Sequence, residues 1–543
     1  MFRKNSSHNQ QGVFETTQWM HPKNRAIFNA SWGPKFYDVV FRKIDEEPFA
    51  ILYSPVKGAP NFPINILVAL EYIKHMKQWT DDDLMEAFRF NSQVSYALGI
   101  RNVGEMYLTE RTLYYFRERV YGYSIENPGK EDILFGQFIK LLHEFAELAG
   151  ISLEEQRNDT TLFMSNIKKA GRISLAHDVL VKAVKAIPEG LRTEDLAKVL
   201  EPGFKNKVLY RMRGQDTDSR MAMLLGLCQQ ADAVLSKIAT TADSEALRIV
   251  RRFLEEQSTI DPETGKPVPK PNKEIKSGSL QSAYDEDATF RRKGDVSQSG
   301  YALDLSETCS RDNPFQLLTD YTIRPNNVSD QEILIDRLPI IKENTGCGDM
   351  YVDGGFQSEE VHQVAADNGI EIHMTNMSGT EPKTHIPITK FDIDEDTNVI
   401  KKCPAGNVPT QAGVSKSQTS AHFPHDVCIG CAFREQCFSK QLAKDCVVRI
   451  NIKAIEAGRV RAGMLEHQME NTGMRAGIEG TNSSMKRTGQ DKLDVRGIAK
   501  STVVSGLNAA TQNIKRILKY LQGGYKKKPE KPQPSGIPVP IMS

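Results

Sequence analysis

The sequence predicts an α/β core built on one mixed sheet, preceded by an all-helical module and interrupted by a helical insertion and a small cysteine-rich one. Three observations predict this. Apolar residues recur with helical period from Pro63 to Val120 and again over 173–257. From Ala288 onward, short and partly alternating runs come in the order strand, strand, helix, strand, helix, strand. Finally, three acids far apart in the chain, Asp159, Asp353 and Glu479, lie on a strand, at a strand end and on a helix.

At 543 residues the chain is too long for one ordinary domain. Hydrophobic residues at 39% and charged ones at 26% suit a globular protein. No stretch approaches the roughly 20 continuous apolar residues of a membrane span, and Met1 to Gln18 is polar, without a secretory core. A cytoplasmic location is the expectation, with nucleoid association whenever a nucleic-acid partner is engaged. In that compartment the 8 cysteines point to metal binding or burial rather than a disulfide framework. The net charge of +1 is uninformative, but Arg449 to the C-terminus carries 17 Lys and Arg against 7 Asp and Glu. Such an excess suits a phosphate backbone.

Residues 1–56 show little periodicity and read as an extended or partly ordered arm. Residues 57–150 form the helical module and are read as the DNA-binding domain. Ile64, Leu67, Val68, Leu70 and Ile73 make one apolar stripe, and Thr80-Asp81-Asp82-Asp83 is the acidic start of the next helix. Thr109 opens another, with Leu113, Phe116 and Val120 inward and Arg111, Arg117 and Arg119 on other faces. A basic last helix suits a helix-turn-helix reader. The core is assembled from 151–172, 280–394 and 447–522. Its strands are expected around Asp159, over Ala288–Arg292, Gly300–Leu305, Asp349–Asp353 and Ile370–Met374, with a capping box at Ser329 opening the helix of Ile333, Leu334 and Leu338. This order matches the ribonuclease H-like fold. Residues 173–279 are then a helical insertion ending in a Pro-rich linker (Pro262, Pro267, Pro269, Pro271). Residues 395–446 form the cysteine-rich insertion, polar and with little to make a core, and 523–543, with Lys526-Lys527-Lys528 before a run of prolines, read as a disordered tail.

Two aspartates and a glutamate make an oxygen-ligand site for hard divalent cations, the kind that cuts and joins phosphodiesters. The glycines after Asp353 let the chain turn sharply there. Arg475 precedes Glu479 by four and Lys486 follows it by seven, so a helix brings all three to one face. Glu479 would hold metal while its neighbours Arg475 and Lys486 hold phosphates; Arg487, next to Lys486 in the same basic motif, and Arg291 and Arg292 are further candidate DNA contacts. Asp285, Asp287, Asp304, Glu359 and Glu360 read as caps, sheet-edge charges or surface groups. Cys428-Ile429-Gly430-Cys431, with Cys437 and the upstream Cys403, can close a tetrahedral zinc site, with His422, His425 and Cys446 as rival fourth ligands. Cys228, Cys309 and Cys347 read as ordinary thiols.

Three blocks resemble those of bacterial insertion-sequence DDE transposases that have an N-terminal helical domain and a cysteine-cluster insertion. They are Asp159-Thr160 with Asn166-Ile167, Tyr351 to Glu360, and Ile478-Glu479-Gly480-Thr481 with Lys486-Arg487 and Val495-Arg496-Gly497. The likeness runs from about residue 57 to about residue 520. Related enzymes often carry Tyr, Arg, Glu and Lys at fixed spacing in the third block; here Thr472 stands at the tyrosine position. The resemblance implies Asp159, Asp353 and Glu479 as ligands of catalytic Mg²⁺ (or Mn²⁺), Arg496 among the DNA contacts, and a structural Zn²⁺ on Cys403, Cys428, Cys431 and Cys437. It implies binding of terminal inverted repeats, cleavage of the 3′ strand, transfer of the 3′-OH into target DNA, and a homodimer in the synaptic complex. A non-catalytic DNA-binding descendant and a ribonuclease H-like nuclease are the alternatives.

Overall fold

The structure is a computed structural model of the whole chain and describes residues 1–9, 15–211, 217–238, 244–293, 296–375, 385–466 and 473–525. The expected Lys-rich tail beyond 525 and Thr472 lie outside the described residues.

The first departure from expectation is at the N-terminus. Much of 22–52 is helical where an extended arm was expected: Pro22–Ala30, Trp32–Val39 and the 3₁₀ turn Glu47–Leu52 bury Phe28, Phe36 and Phe49. Elements this short, each with a proline in its first turn, display too little of a 3.6-residue period to be recognised. The helix Ile64–Lys77 is buried almost all round, and Thr80 and Asp83 close a capping box on Asp81–Phe90. Glu110–Glu126 points Leu113, Phe116 and Val120 inward as expected. Its Arg117, however, is largely buried between Glu71 (2.8 Å) and Asp81 (2.7 Å), so it braces three helices instead of facing outward. A further helix, Phe135–Ala149, packs with Ile64–Lys77 and Glu110–Glu126 against the long C-terminal helix Ile498–Leu521. Helical module and α/β core therefore share one continuous hydrophobic core, from Phe36 to Leu518.

The central sheet begins with β1 (Glu155–Phe163). The expected Pro-rich linker instead holds a short hairpin of β2 (Ser258–Ile260) and β3 (Pro267–Pro269). Then come β4 (Thr289–Lys293), β5 (Val296–Thr308), β6 (Leu318–Pro325), β7 (Asp349–Val352) and β8 (Glu371–Met374). The order is β4-β5-β1-β7-β8, with β6 also paired to β5. β5 runs antiparallel to β1, β4 and β6, whereas β1, β7 and β8 are parallel. β6 carries no strand signal of its own in the sequence. Its polar residues are buried beside the apolar ones because each finds a partner: Thr319 bonds Gln156 (2.6 Å) and Asp320 bonds Arg337 (2.6 Å), so no polar face marks the strand. Gly506 lets the C-terminal helix lie directly on the Tyr321 hydroxyl of β6; a Cβ there would overlap the ring.

The helical insertion has its own core, in which Leu180 and Val184 of Arg172–Ala186 meet Leu224 and Cys228 of Thr217–Ile238 and Phe253 of Glu245–Gln257. The cysteine-rich insertion also has one, contrary to its polar composition. Strands Gln411–Val414, Gln418–Pro424, Lys440–Gln441 and Asp445–Asn451 form a small sheet whose Phe423, Val448 and Ile450 pack on Phe391 and Ile400. The insertion thus extends past residue 446, where the sequence reading returned the chain to the core. Among the described residues, no helix is long and apolar enough to cross a membrane.

Candidate active site

Alternation along β1 sorts its side chains onto two faces of the sheet. Arg157 and Asp159 face the helix Ala476–Met485; Asn158 and Thr160 face the other way, and each bonds Asp304 of β5 at 2.7 Å. The parallel register, Arg157 opposite Tyr351, sets the end of β7 beside the middle of β1. Asp353 follows at that end and caps a 3₁₀ turn, its Oδ1 accepting from the Gly355 N–H at 2.8 Å. A Cβ on residue 355 would crowd that oxygen, so glycine keeps the turn. Glu479 comes from the first turn of Ala476–Met485.

The three expected acids meet on one cation. Arg475, at the N-terminal edge of that helix, places its guanidinium 3.1 Å from Asp159, 3.2 Å from Asp353 and 3.1 Å from Glu479. Asn482 donates to the second oxygen of Asp159 at 3.0 Å. The side chains are 14%, 27% and 60% exposed for Asp159, Asp353 and Glu479, so the cluster opens to solvent on the glutamate side. Burial pushes the Asp159 carboxyl above its ordinary range, opposed by Arg475 and reinforced by Asp353 and Glu479. Burial pulls the Arg475 guanidinium down, but the acids around it outweigh that and hold it above its usual value.

Behind the acids, Glu307 of β5 is fully buried and gathers the elements that carry them. It accepts from Arg516 of the C-terminal helix (2.6 Å), from Thr481 (2.7 Å) and from Nε of Arg157 (2.8 Å). Arg157 also donates to the Met474 carbonyl (2.8 Å). Gly477 makes room for this guanidinium, which a Cβ at 477 would overlap. Burial would raise the Glu307 carboxyl, but Arg516 and Arg157 outweigh it and hold it below the usual carboxylate range. Neither Glu307 nor Asn482 was singled out from sequence. Asn482 had a visible signal, three residues beyond Glu479 on the same helical face; Glu307, an acid within a strand, had none.

The cations divide by place. Lys486 and Arg487 lie just past the far end of Ala476–Met485, half-buried and exposed respectively. Arg496 donates to the Asn166 carbonyl at 2.8 Å and lies over the Tyr284 ring at 5.2 Å. Arg291 and Arg292 are on β4, two strands from β1, and Arg291 is held by both oxygens of Asp330 (2.8 and 3.0 Å). Cys403, Cys428, Cys431 and Cys437 line one cavity of about 30 Å³ in the small insertion. Burial raises the Cys428 thiol to about 12, with Cys446 next to it and Cys437 and Cys403 contributing. The remaining acids have structural posts: Asp285 and Asp287 accept from the N–H groups of Gly497 and Ile498 (3.0 Å each), at the start of the C-terminal helix, and Glu359 and Glu360 sit in the first turn of Glu359–Asp367. Among the described residues, Asp349, Glu371 and His373 bring ligand atoms within 4.8 Å of one another, at the start of β7 and along β8.

Asp304 supplies a pH prediction. Burial raises its carboxyl to about 7, against the bonds from Asn158 and Thr160. A raised acid keeps its proton in the folded chain while the unfolded chain has lost it, so stability falls as pH rises from about 4 to about 7. Thermal unfolding across that range is expected to show the fall, and Asp304→Asn is expected to flatten it; an equal slope in both proteins would refute the assignment.

Compared with models of known families, residues 402–518 match one described as "Transposase DDE domain" and residues 29–119 match "Transposase domain (DUF772)". The first span contains Glu479 and the cysteine cluster, the second much of the helical module; neither reaches Asp159 or Asp353. No curated protein and no solved structure matched the chain. A DDE domain implies the ribonuclease H-like fold, with which the mixed sheet and its helices are consistent. Both matched segments are thus similar to domains of transposases, the C-terminal one to a DDE domain, the metal-dependent DNA-cleaving part of such enzymes. The transposase families these two segments resemble act on DNA.

Proposed function

We propose that the chain is an insertion-sequence DDE transposase that binds the terminal inverted repeats of its element, cuts the 3′ strand at their ends and joins the freed 3′-OH to target DNA. Asp159, Asp353 and Glu479 are its catalytic carboxylates. The observation that carries this reading is their convergence, from β1, the end of β7 and a helix, on a single guanidinium. Three hard oxygen donors open on one side suit Mg²⁺ or Mn²⁺. Bound there, such ions would activate the attacking oxygen and stabilise the leaving one. The chain's own part is to hold the donors: β1 and β7 fix two of them through sheet register, and Asn482 orients Asp159. Lys486, Arg487 and Arg496 are assigned to DNA phosphates, with Arg292 as an outlying contact. Arg291 is the weaker candidate because Asp330 already engages it. The working form is a homodimer, so that both ends are cut together.

The test is Mg²⁺-dependent nicking of a labelled duplex that carries the element's own terminal repeats. End-specific nicking and joining supports the reading. Binding without nicking would favour the non-catalytic descendant, and nicking without preference for the repeats a plain nuclease.

The cysteine-rich insertion is proposed to hold structural zinc. Soft thiol donors around one small cavity fit that ion, and Cys403, Cys428, Cys431 and Cys437 would hold it. The purified protein is expected to contain about one zinc per chain. Cys431→Ser should lose that metal and lower the melting temperature, whereas Cys446→Ser should keep it. Metal lost only from the Cys446 variant would reassign the fourth ligand, and a metal-free wild type would remove the site.

A further inference from the structure

The feature of the site with most to explain is the position of Arg475. A cation assigned to DNA phosphate would be expected to point outward. Instead its guanidinium lies among all three carboxylates, within 3.2 Å of each, and its side chain is only 15% exposed. Carboxylates brought this close repel one another unless a positive charge stands between them. Arg475 therefore supplies a positive charge that holds the acids together. It does so incompletely, since one positive charge faces three negative ones.

A second, independent observation concerns the same side chain. Among the described residues, the Nε–H of Arg475 is buried without a hydrogen-bond partner. A buried donor left unpaired is costly, and in a guanidinium it leaves the planar fork only partly used. The arginine has donor capacity that this position does not satisfy but that a phosphate oxygen in the cleft would. Gly473, two residues before it, has φ +82°, a left-handed conformation at the entrance to the arginine's helix.

We propose that Arg475 is an internal latch: it occupies the carboxylate cluster in the resting enzyme, competes with the divalent cation, and is released toward the DNA phosphate when that cation binds. The inference rests on the reading of Asp159, Asp353 and Glu479 as the metal site and adds to it an order of events. The glutamate side, the most exposed of the three, is where the cation enters. Displaced from the acids, Arg475 exchanges carboxylate partners for a phosphate, and its bidentate geometry suits both. Metal loading and DNA engagement are thereby coupled through one side chain, which disfavours a charged but DNA-free active site.

A latch closed about nine-tenths of the time weakens apparent cation affinity about tenfold. The experiment is titration of the full-length protein with Mn²⁺, without DNA, followed by electron paramagnetic resonance. Arg475→Gln is expected to bind Mn²⁺ about tenfold more tightly than wild type. Arg475→Lys, which keeps the charge but cannot bridge three acids, is expected to fall between them. Lys486→Gln removes a positive charge from the far end of the same helix and should change affinity much less, which separates the latch from a general electrostatic effect. Asp353→Asn tests the underlying reading, because Mn²⁺ binding that survives it would mean that the carboxylate cluster is not the metal site. If binding is lost in Asp353→Asn but unchanged or weakened in Arg475→Gln and Arg475→Lys, the site stands and the latch is refuted. Circular dichroism melting of each variant identifies any affinity change that comes from misfolding.

Discussion

Asp353→Asn is expected to abolish end cleavage while leaving DNA binding and thermal stability close to wild type. Asp353 stands where β7 stops, and its two oxygens have separate tasks. Oδ1 caps the following turn through the Gly355 N–H, and Oδ2 faces the cluster around Arg475. Asparagine retains the first function through its carbonyl oxygen, so the turn and strand should persist. It replaces the second oxygen with an amide NH₂ group, a hydrogen-bond donor that cannot ligate a hard cation. Loss of one carboxylate proposed to hold the metal would remove several kcal/mol of transition-state stabilisation, or about a 10³- to 10⁴-fold drop in rate. The measurement is single-turnover nicking of a terminal-repeat duplex, paired with gel-shift binding of the same duplex. A variant that still cuts within about tenfold of wild type would remove Asp353 from the catalytic group.

Glu307→Ala should have the largest effect on folding. The carboxylate is inaccessible to solvent and joins β5 to β1 through Arg157, to the C-terminal helix through Arg516, and to the Glu479-bearing helix through Thr481. Removing it leaves Arg157 without its buried partner and deprives Arg516 of one, and breaking such a pair costs about 3–5 kcal/mol. Arg516 keeps some access to water, which places the expected loss at the lower end of that range. The consequence also reaches the chemistry, since the helix carrying Arg475 and Glu479 is tied to the sheet partly through Thr481. Glu307→Gln keeps the shape and loses the charge, so an intermediate cost is expected. Calorimetric melting of the three proteins checks this. A Glu307→Ala protein that melts with wild type would mean that the arginines find other partners and that the network is not what docks the helix.

How much of this was legible beforehand depended on whether a residue's environment was local. The long helices of 64–126 were legible because a helix advertises its buried stripe in its own sequence; β7, β8 and the acid at the end of β7 were legible because apolar runs flanked by glycine are strand signals. The spacing of Arg475 and Glu479 foretold their contact, since four residues is one helical turn. What failed was whatever depended on distant partners. Arg117 looked like a surface cation but is paired with Glu71 and Asp81, contributed by other helices. β6 was missed because Thr319 and Asp320 are buried by virtue of Gln156 and Arg337. The small insertion looked too polar for a core because its apolar residues are spread from Phe391 to Ile450 and meet only when its sheet forms.

By itself the sequence determined the α/β class, the helical character of 64–126 and of the insertion, and which three acids to watch. Each of these is written in short-range periodicity or in the residue types that a metal site requires. Only the tertiary structure decided that the helical module and the sheet share one core, that Glu307 and Asn482 support the acids, and that Arg475 lies among all three. Those facts depend on register and on the docking of a helix more than 300 residues from β1 along the chain. Electrostatic contacts between such distant segments leave no period in a sequence, because their energy depends on separation in space and not along the chain.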